Sequence, residues 1–484
     1  MENINEEMQR RSKVWESMDR SSEESRREAE EYYKDNIMPL VKEKFIRSYS
    51  QPDSCEGLIL TLGTSYEPLV LSISALKPEK VLILFTEETR KLLDNVIEFT
   101  QLRPSQYTFA EIDSENPLKL YQTIKTAYEE WKRPKNIYVD FTGGTKSMAA
   151  GCAMAGHAIG AQLIYVAGDY IPTLRKPRPG SEKLYFIDNP YTVFGDLERT
   201  QAIYLFNNMD YTSAGIIFQE LDQKVPGTRE YEALSYLASA YNAWDSLNIK
   251  NAKADLQACY DIISREKKLD TRFILAPYED KIKVQLECLE KLEATHSQTS
   301  DKEIVFNNVY YVIGNLYNNA LRREKQEKYE MASLLLYRAL EMVEQKCLWD
   351  HGISTERPDY SKLGSPEALL LQINNIRKKM RGLGLIAELP HTIGLMAGFI
   401  TLAAIDDEIM KGDKSGDKLK LLENLKKNVD VRNNSIFAHG FEFIDKKRYA
   451  EFKNVVEDFI NKLFAKDKVN KDELFSAMEF IELK

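Results

Sequence analysis

Residues 136–147 have the sequence Asn-Ile-Tyr-Val-Asp-Phe-Thr-Gly-Gly-Thr-Lys-Ser, and this stretch decides the fold of the first half of the chain. Its apolar beginning, 136–141, predicts a short strand that is buried on both faces. Residues 147–160 are almost all small, so they predict a helix that lies close to a sheet or to a copy of itself. A strand that passes through two glycines into a helix is typical of the doubly wound, Rossmann-like α/β class.

Further short apolar runs lie on both sides of this stretch and alternate with helical patterns. Helices are predicted after residue 85, as far as 102, and over 118–131. The predicted strands are 58–62, 80–85, 107–112 and 162–167, with 183–187 as a candidate edge strand. Because the runs are short and continuously apolar, they predict a parallel sheet that is covered by helices on both faces.

The strands stop after Asn189-Pro190, and the rest of the chain is predicted to be all-α. Residues 302–484 predict a bundle of five or six helices, of which 329–345 has the strongest pattern, and 393–405 predicts a buried core helix. The predicted domains are charged helices over 1–50, a Rossmann-like domain over 51–195, a helical connecting region over 196–300 and a helical bundle over 301–484.

The composition limits the classes of function. A chain of 484 residues is too long for one core, so two or three domains are expected. The net charge of −9 disfavours a surface that grips nucleic acid by general electrostatic attraction, so a nucleic-acid site would have to be local. Five scattered cysteines without a CxxC pair predict a reduced compartment, no disulfide framework and no metal site. The polar N-terminus and the lack of a long apolar run predict a cytoplasmic protein without membrane contact.

The loop that follows the strand at 136–141 predicts a phosphate or nucleotide site. Gly143 and Gly144 let the backbone approach a phosphate, and the helix start supplies free N–H donors. Thr142, Thr145 and Lys146 add two hydroxyls and a positive charge. Thr145 stands where a Walker A motif has its second glycine, so an ATPase or kinase is disfavoured. A plain glycine turn between strand and helix remains the alternative.

Two other loops are expected at the same edge of the sheet, because they also follow parallel strands. One contains Gly63, Thr64 and Ser65. The other is 168–178, whose basic residues are Arg175, Lys176 and Arg178. For each loop taken singly, an ordinary solvated loop is an equally good interpretation.

A second candidate site contains Arg432 and His439, which are separated by six residues near the end of the chain. On one continuous helix both side chains would face the same side, and with an intervening loop they can still converge. The pair suits RNA cleavage without a metal, because histidine transfers protons near neutral pH and arginine stabilises charge on a phosphoryl group. Asn433 is a candidate for orienting the phosphate or the histidine. A surface arginine and a helix-capping histidine remain the alternative.

These features together resemble the CARF–HEPN ribonucleases of type III CRISPR systems. CARF denotes a CRISPR-associated Rossmann fold, and HEPN a helical bundle whose nucleases carry an Arg followed after four to six residues by His. The Gly-Gly-Thr-Lys loop, the Leu-Gly-Thr-Ser loop at 62–65, the segments 189–191 and 195–197, and the helix at 336–341 also look like this family. The resemblance covers the chain from about residue 57 to the end, and the middle region only loosely.

The resemblance implies a ligand-activated enzyme that needs no cofactor apart from its activator. A cyclic oligoadenylate, with cA4 favoured over cA6, would bind across a two-fold axis between two CARF domains and face Thr64, Gly144, Thr145 and Lys146. In the homodimer, the Arg–His motifs of both subunits would form one composite site that cuts single-stranded RNA. Lys146 with Thr64 or Ser65 would be the residues for slow cleavage of the activator itself. The alternative is a cyclic-nucleotide-sensing binding protein without nuclease activity.

Overall fold

The protein is described by a computed structural model that divides into two compact units, Met1–Phe194 and Gly195–Lys484. Two predicted site residues, Arg175 and His439, lie outside the described residues. So do residues 189–194, which include the segment 189–191 named above for its resemblance to the family. The described residues are 2–49, 54–113, 116–174, 176–188, 195–225, 227–296, 302–412, 417–438 and 440–484.

Unit 1 contains a six-stranded sheet whose strand order is β3-β2-β1-β4-β5-β8. The strands are β1 Gly57–Thr61, β2 Lys80–Phe85, β3 Tyr107–Glu111, β4 Ile137–Asp140, β5 Gln162–Ala167 and β8 Lys183–Ile187, and a small hairpin is formed by β6 Tyr170–Ile171 and β7 Lys176–Pro177. Strands β1 to β5 are parallel, and β8 pairs antiparallel with β5. The predicted Rossmann-like parallel sheet and its edge strand are therefore confirmed.

Helices cover both faces of this sheet, as the continuously apolar strands predict. On one face, α4 and α5 pack into a core with Leu58, Leu60 and Ile83, and on the other α6 and α7 pack against Ile59 and Val139. The unit 1 helices are α1 Glu2–Ser17, α2 Glu23–Tyr32, α3 Met38–Ser48, α4 Glu67–Leu76, α5 Leu93–Thr100, α6 Pro117–Glu130 and α7 Lys146–Ala158.

Helix α7 lies close to the sheet because of its small residues. A Cβ atom placed on Gly156 would come within 2.6 Å of the Leu163 side chain and 3.2 Å of the Val139 side chain. The N-terminal helices share the core of the sheet, since Trp15, Tyr33 and Ile37 are buried in the same hydrophobic cluster as β1 and β2. Residues 1–50 thus complete unit 1.

Unit 2 contains helices and no strand among its described residues. It has two hydrophobic clusters, of which the one in its second part includes Leu336, Leu340, Phe399, Val429 and Phe459. The helices are α8 Asp196–Asn207, α9 Tyr211–Lys224, α10 Glu230–Asp245, α11 Ile249–Glu266, α12 Glu279–His296, α13 Lys302–Asn307, α14 Val309–Lys325, α15 Tyr329–Asp350, α16 Pro366–Lys379, α17 Leu395–Ala404, α18 Asp417–Asn433, α19 Lys446–Lys466 and α20 Lys471–Ala477.

The predicted count of five or six helices after residue 302 is wrong, because the described part of that region holds eight α-helices, α13 to α20. Two of them, α13 and α20, have 6 and 7 residues, which is too short for an amphipathic period to be recognised. The predicted core helix over 393–405 is confirmed by the buried α17. The strongest predicted helix is also confirmed, and it extends to Asp350 as α15.

Candidate functional site

The loops that follow β1 and β4 touch each other at the carboxyl edge of the sheet. The hydroxyl of Thr61 donates a hydrogen bond of 2.7 Å to the backbone oxygen of Gly143. A Cβ atom on Gly143 would lie 2.1 Å from the backbone oxygen of Thr61, and one on Gly63 would lie 2.6 Å from the backbone nitrogen of Gly144. Both glycines are therefore required by close approach of two backbones.

Buried hydrogen bonds fix the loop after β4. The backbone N–H of Thr142 donates to Asp140 (2.8 Å), and the Thr142 hydroxyl accepts from the backbone N–H of Val166 (2.8 Å). The hydroxyl of Ser72 donates to the second oxygen of Asp140 at 2.5 Å. Burial raises the pKa of the Asp140 carboxyl, and these hydrogen bonds oppose the rise. The loop geometry is thus set by the strand end and does not require a ligand.

Thr145 and Lys146 begin helix α7. The Thr145 hydroxyl accepts from the backbone N–H of Met148 (3.2 Å) and so caps the helix. The hydroxyl acts there as an acceptor, so its own O–H remains a donor at this end, together with the first backbone N–H groups and the exposed Lys146 ammonium.

A cavity of about 370 Å³ lies at this edge of the sheet. Thr145 and Lys146 are exposed and do not line it. The predicted residues that line it are Lys176 of the third loop and, from the two touching loops, Gly63, Thr64, Ser65, Thr142, Gly143 and Gly144.

Two cavity residues, Glu67 and Glu182, carry carboxylates that were not predicted at this place. Lys176 lines the cavity and donates to Glu67 at 2.6 Å, while its ammonium lies 4.4 Å from the centroid of the Tyr33 ring. The positive charge that was predicted to meet an anion is therefore partly neutralised by Glu67. Glu182 also lines the cavity, and burial raises its pKa to about 7. The local sequence around Glu67 or Glu182 did not predict a carboxylate at this site. Glu67, for example, lies 109 residues from its partner Lys176.

The second candidate site lies at the end of α18. This helix stops at Asn433, so the interpretation of Arg432 and His439 on one continuous helix is wrong. A turn follows, which two backbone hydrogen bonds close. The N–H of Ile436 donates to the backbone oxygen of Glu442 (3.1 Å), and the N–H of Glu442 donates to the backbone oxygen of Asn434 (3.0 Å). His439 lies between described residues of this turn but outside the described set, so its distance from Arg432 stays a prediction.

Gly440 is required in the turn by its contact with Asn434. A Cβ atom at position 440 would lie 1.9 Å from the backbone oxygen of Asn434. The end of the turn is held by Glu330, whose carboxylate accepts from the backbone N–H of Ile444 (2.5 Å). The backbone on both sides of position 439 is therefore closely constrained.

Arg432 is half-buried in the last turn of α18. Its Nη1 donates to the side-chain oxygen of Asn433 (3.2 Å), so two of the predicted catalytic residues touch each other. The guanidinium carbon lies 3.9 Å from the centroid of the Tyr337 ring. The turn that follows exposes four large apolar side chains, Ile436, Phe437, Phe441 and Phe443.

Comparison with known proteins identifies two domains in the second half of the chain. Residues 301–463 match the family model of the Csm6 HEPN domain, and residues 194–289 match that of the Csm6 6H domain. The CRISPR system endoribonuclease Csm6 of Thermus thermophilus is 27% identical over 417 residues, which are 84% of this chain and 85% of the relative. The predicted resemblance to the CARF–HEPN ribonucleases is therefore confirmed. Unit 1 has the Rossmann-like sheet expected of a CARF-type domain, and unit 2 includes the regions that match the 6H and HEPN models.

The fold is also that of a solved Csm6. Enterococcus italicus Csm6 bound to cyclic hexa-2′-fluoro-hexa-dAMP aligns with a TM-score of 0.50 at 11% identity, over 88% of this chain and 98% of that one. Sulfobacillus thermosulfidooxidans Can2 in complex with cyclic tetra-adenylate aligns with a TM-score of only 0.23 at 14% identity, over 48% of this chain and 71% of that one, too low for a fold comparison. No helix among the described residues has the length and apolar character needed to cross a membrane.

Proposed function

We propose that this chain is a metal-independent endoribonuclease that is switched on when a cyclic oligoadenylate binds to its CARF-type domain. We favour cA4 over cA6 as the activator, and the active form of the enzyme is a homodimer in the cytoplasm. The observation that carries the proposal is the state of Arg432, a half-buried guanidinium without a carboxylate partner among the described residues, seven positions before His439 in the sequence.

The RNA chemistry follows from these groups. The ribose 2′-hydroxyl attacks the adjacent phosphate in line, and the products are a 2′,3′-cyclic phosphate and a free 5′-hydroxyl. Arg432 stabilises the charge on the non-bridging phosphoryl oxygens, and His439 transfers a proton. Asn433 orients the guanidinium through the hydrogen bond that it accepts from Nη1. In the homodimer, the motifs of both subunits act on one single-stranded RNA.

The activator site is the cavity at the carboxyl edge of the sheet. Backbone N–H groups of 63–65 and 143–145 face phosphate oxygens of the ring, and Lys146 adds charge from outside the cavity. Arg175 is assigned to the same ligand from the sequence alone. A two-fold symmetric ring fits two copies of the domain. Moving the enzyme from about 1% to 99% active would take roughly 5.5 kcal/mol of preferential binding to the active dimer.

The test is cleavage of a fluorescent single-stranded RNA in the presence of EDTA, with cA4, with cA6 and without a ring. Wild type is compared with His439→Ala, and the exposed His391→Ala is a matched control. The proposal expects cleavage by wild type and His391→Ala, with one ring only, and none by His439→Ala.

A binding protein without nuclease activity is the competing function. Tight ring binding by the wild type without RNA cleavage under any condition would establish that function and overturn ours. Loss of the ring itself during incubation, measured by chromatography, tests whether Lys146 with Thr64 or Ser65 degrades the activator.

A further inference from the structure

Arg432 is held by an aromatic ring and by its neighbour Asn433. The ring is that of Tyr337 in the middle of α15, and the guanidinium carbon lies 3.9 Å from its centroid. Within the described residues, no Asp or Glu pairs with this guanidinium. The contact is cation–π in type, because a positive charge at this distance is attracted by the electron-rich face of the ring.

The core fixes the position of Tyr337. Two nearby residues of α15, Leu336 and Leu340, are fully buried in the core that also contains Leu425 and Val429 of α18. Tyr337 itself is half-buried, and burial raises the pKa of its phenol further above neutrality. The ring is therefore a neutral surface whose place is set by the packing of α15 against α18.

We infer that Tyr337 is a positioning residue for RNA cleavage, which orients the guanidinium of Arg432 without neutralising it. The inference rests on the proposed ribonuclease function. A guanidinium carries all its N–H donors in its plane, so a ring against its face leaves free for a phosphate the donors that Asn433 does not use. A carboxylate partner would occupy that edge and cancel the charge that the phosphoryl oxygens need.

A second role for Tyr337 makes a different prediction. If its hydroxyl donated a proton to the leaving oxygen, the hydroxyl would be required and the ring face would not. Tyr337→Phe separates the two roles, because it removes the hydroxyl and keeps the stacked face.

The experiment compares kcat and KM for RNA cleavage among Tyr337→Phe, Tyr337→Met and Tyr337→Leu at saturating activator. We expect Tyr337→Phe to stay within about twofold of wild type, and the non-aromatic variants to lose about tenfold in kcat. The matched control is Tyr329→Met, because Tyr329 lies on the same helix and packs at a tilt against the Tyr449 ring, with centroids 5.5 Å apart. This control should lose stability without the loss in kcat, and activator binding should be unchanged throughout.

A second readout is the binding of an RNA with 2′-deoxy substitutions, which cannot be cleaved. A purely structural role of Tyr337 would not change this binding through Arg432. Tyr337→Met should weaken this binding in the wild-type background and have no further effect in Arg432→Ala. Equal losses in both backgrounds, unchanged kcat in Tyr337→Met, or loss of activity in Tyr337→Phe would each overturn the inference. A wild type that never cuts RNA would instead overturn the proposed function.

Discussion

The hydroxyl of Thr61 donates a hydrogen bond of 2.7 Å to the backbone oxygen of Gly143, and this contact joins the ends of β1 and β4. The two strands are neighbours in the sheet, and the chain leaves them toward helices on opposite faces. Such a divergence opens a crevice at the carboxyl edge, where open α/β sheets bind ligands. The contact therefore defines the floor of the proposed activator site.

The first prediction concerns Gly143→Ala. Its Cβ atom would lie 2.1 Å from the Thr61 oxygen and 3.0 Å from the Gly63 nitrogen, and backbone atoms cannot give way as a flexible side chain can. We expect activator binding to weaken by at least tenfold, measured by fluorescence anisotropy with a labelled ring. Gly151→Ala is the control, because a Cβ there meets only ordinary contacts of 3.5 Å or more. Equal affinities of the two variants would contradict the proposed site.

The second prediction concerns the turn after α18. Gly440→Ala would place a Cβ atom 1.9 Å from the Asn434 oxygen, so the turn that carries His439 must open. We expect RNA cleavage to fall by about 100-fold or more while ring binding is kept, since misplaced acid–base groups lose most of their effect. Gly384→Ala, with open space around the new Cβ atom, should cleave as wild type does. Normal cleavage by Gly440→Ala would remove the turn from the active site.

The third prediction is a pH dependence of stability that comes from Glu182. Burial raises the pKa of this carboxyl from an ordinary value of 4.5 to about 7, so the folded chain holds a proton that the unfolded chain releases. Its contribution to the free energy of unfolding is therefore highest below pH 4.5. The contribution falls by about 3 kcal/mol in all as the pH rises from 4.5 to 7, and it is level above pH 7.

Glu182→Gln removes this titration and keeps the shape of the side chain. The difference in Tm between Glu182→Gln and wild type should grow in favour of the variant from pH 5 to pH 7.5. All other titrating groups are common to the two proteins and cancel in the difference. A Tm difference that is constant across this range would show that Glu182 ionises normally in the folded chain.

The fourth prediction concerns the C-terminal tail, which packs on the helices of the 6H region. Phe480 stacks on Tyr241 with ring centroids 4.0 Å apart, and Arg322 lies 3.9 Å from the centroid of the Phe480 ring. Beyond it, Asn207 exchanges two hydrogen bonds of 2.8 Å with the Leu483 backbone.

Phe480→Ala should lower the free energy of unfolding by about 2 kcal/mol, because it removes the stacked ring that also covers a buried arginine. Phe441→Ala removes the same side chain at a position that is 93% exposed, and it should leave the thermal unfolding of the chain unchanged. Equal shifts in the two variants would mean that the tail does not stabilise unit 2.

Much of unit 1 was predictable because its signals are local. The continuously apolar strands, the glycine loop and the small residues of α7 each lie within a few consecutive residues, and each has one main structural interpretation. The helices of unit 2 were harder to count, since α13 and α20 are shorter than the window in which helical periodicity can be recognised. The end of α18 at Asn433 depends on the turn that follows it.

The sequence by itself determined the class of both units and the resemblance to the CARF–HEPN ribonucleases, and it predicted a phosphate site at 142–146, because these inferences follow from residue types at short fixed spacings. Only the tertiary structure decided which side chains contact each other at the two sites. It placed Glu67 on Lys176 across 109 residues, and it placed the Tyr337 ring against Arg432. Contacts of this kind depend on how whole helices and strands pack, and the local pattern around either residue carries no information about the other.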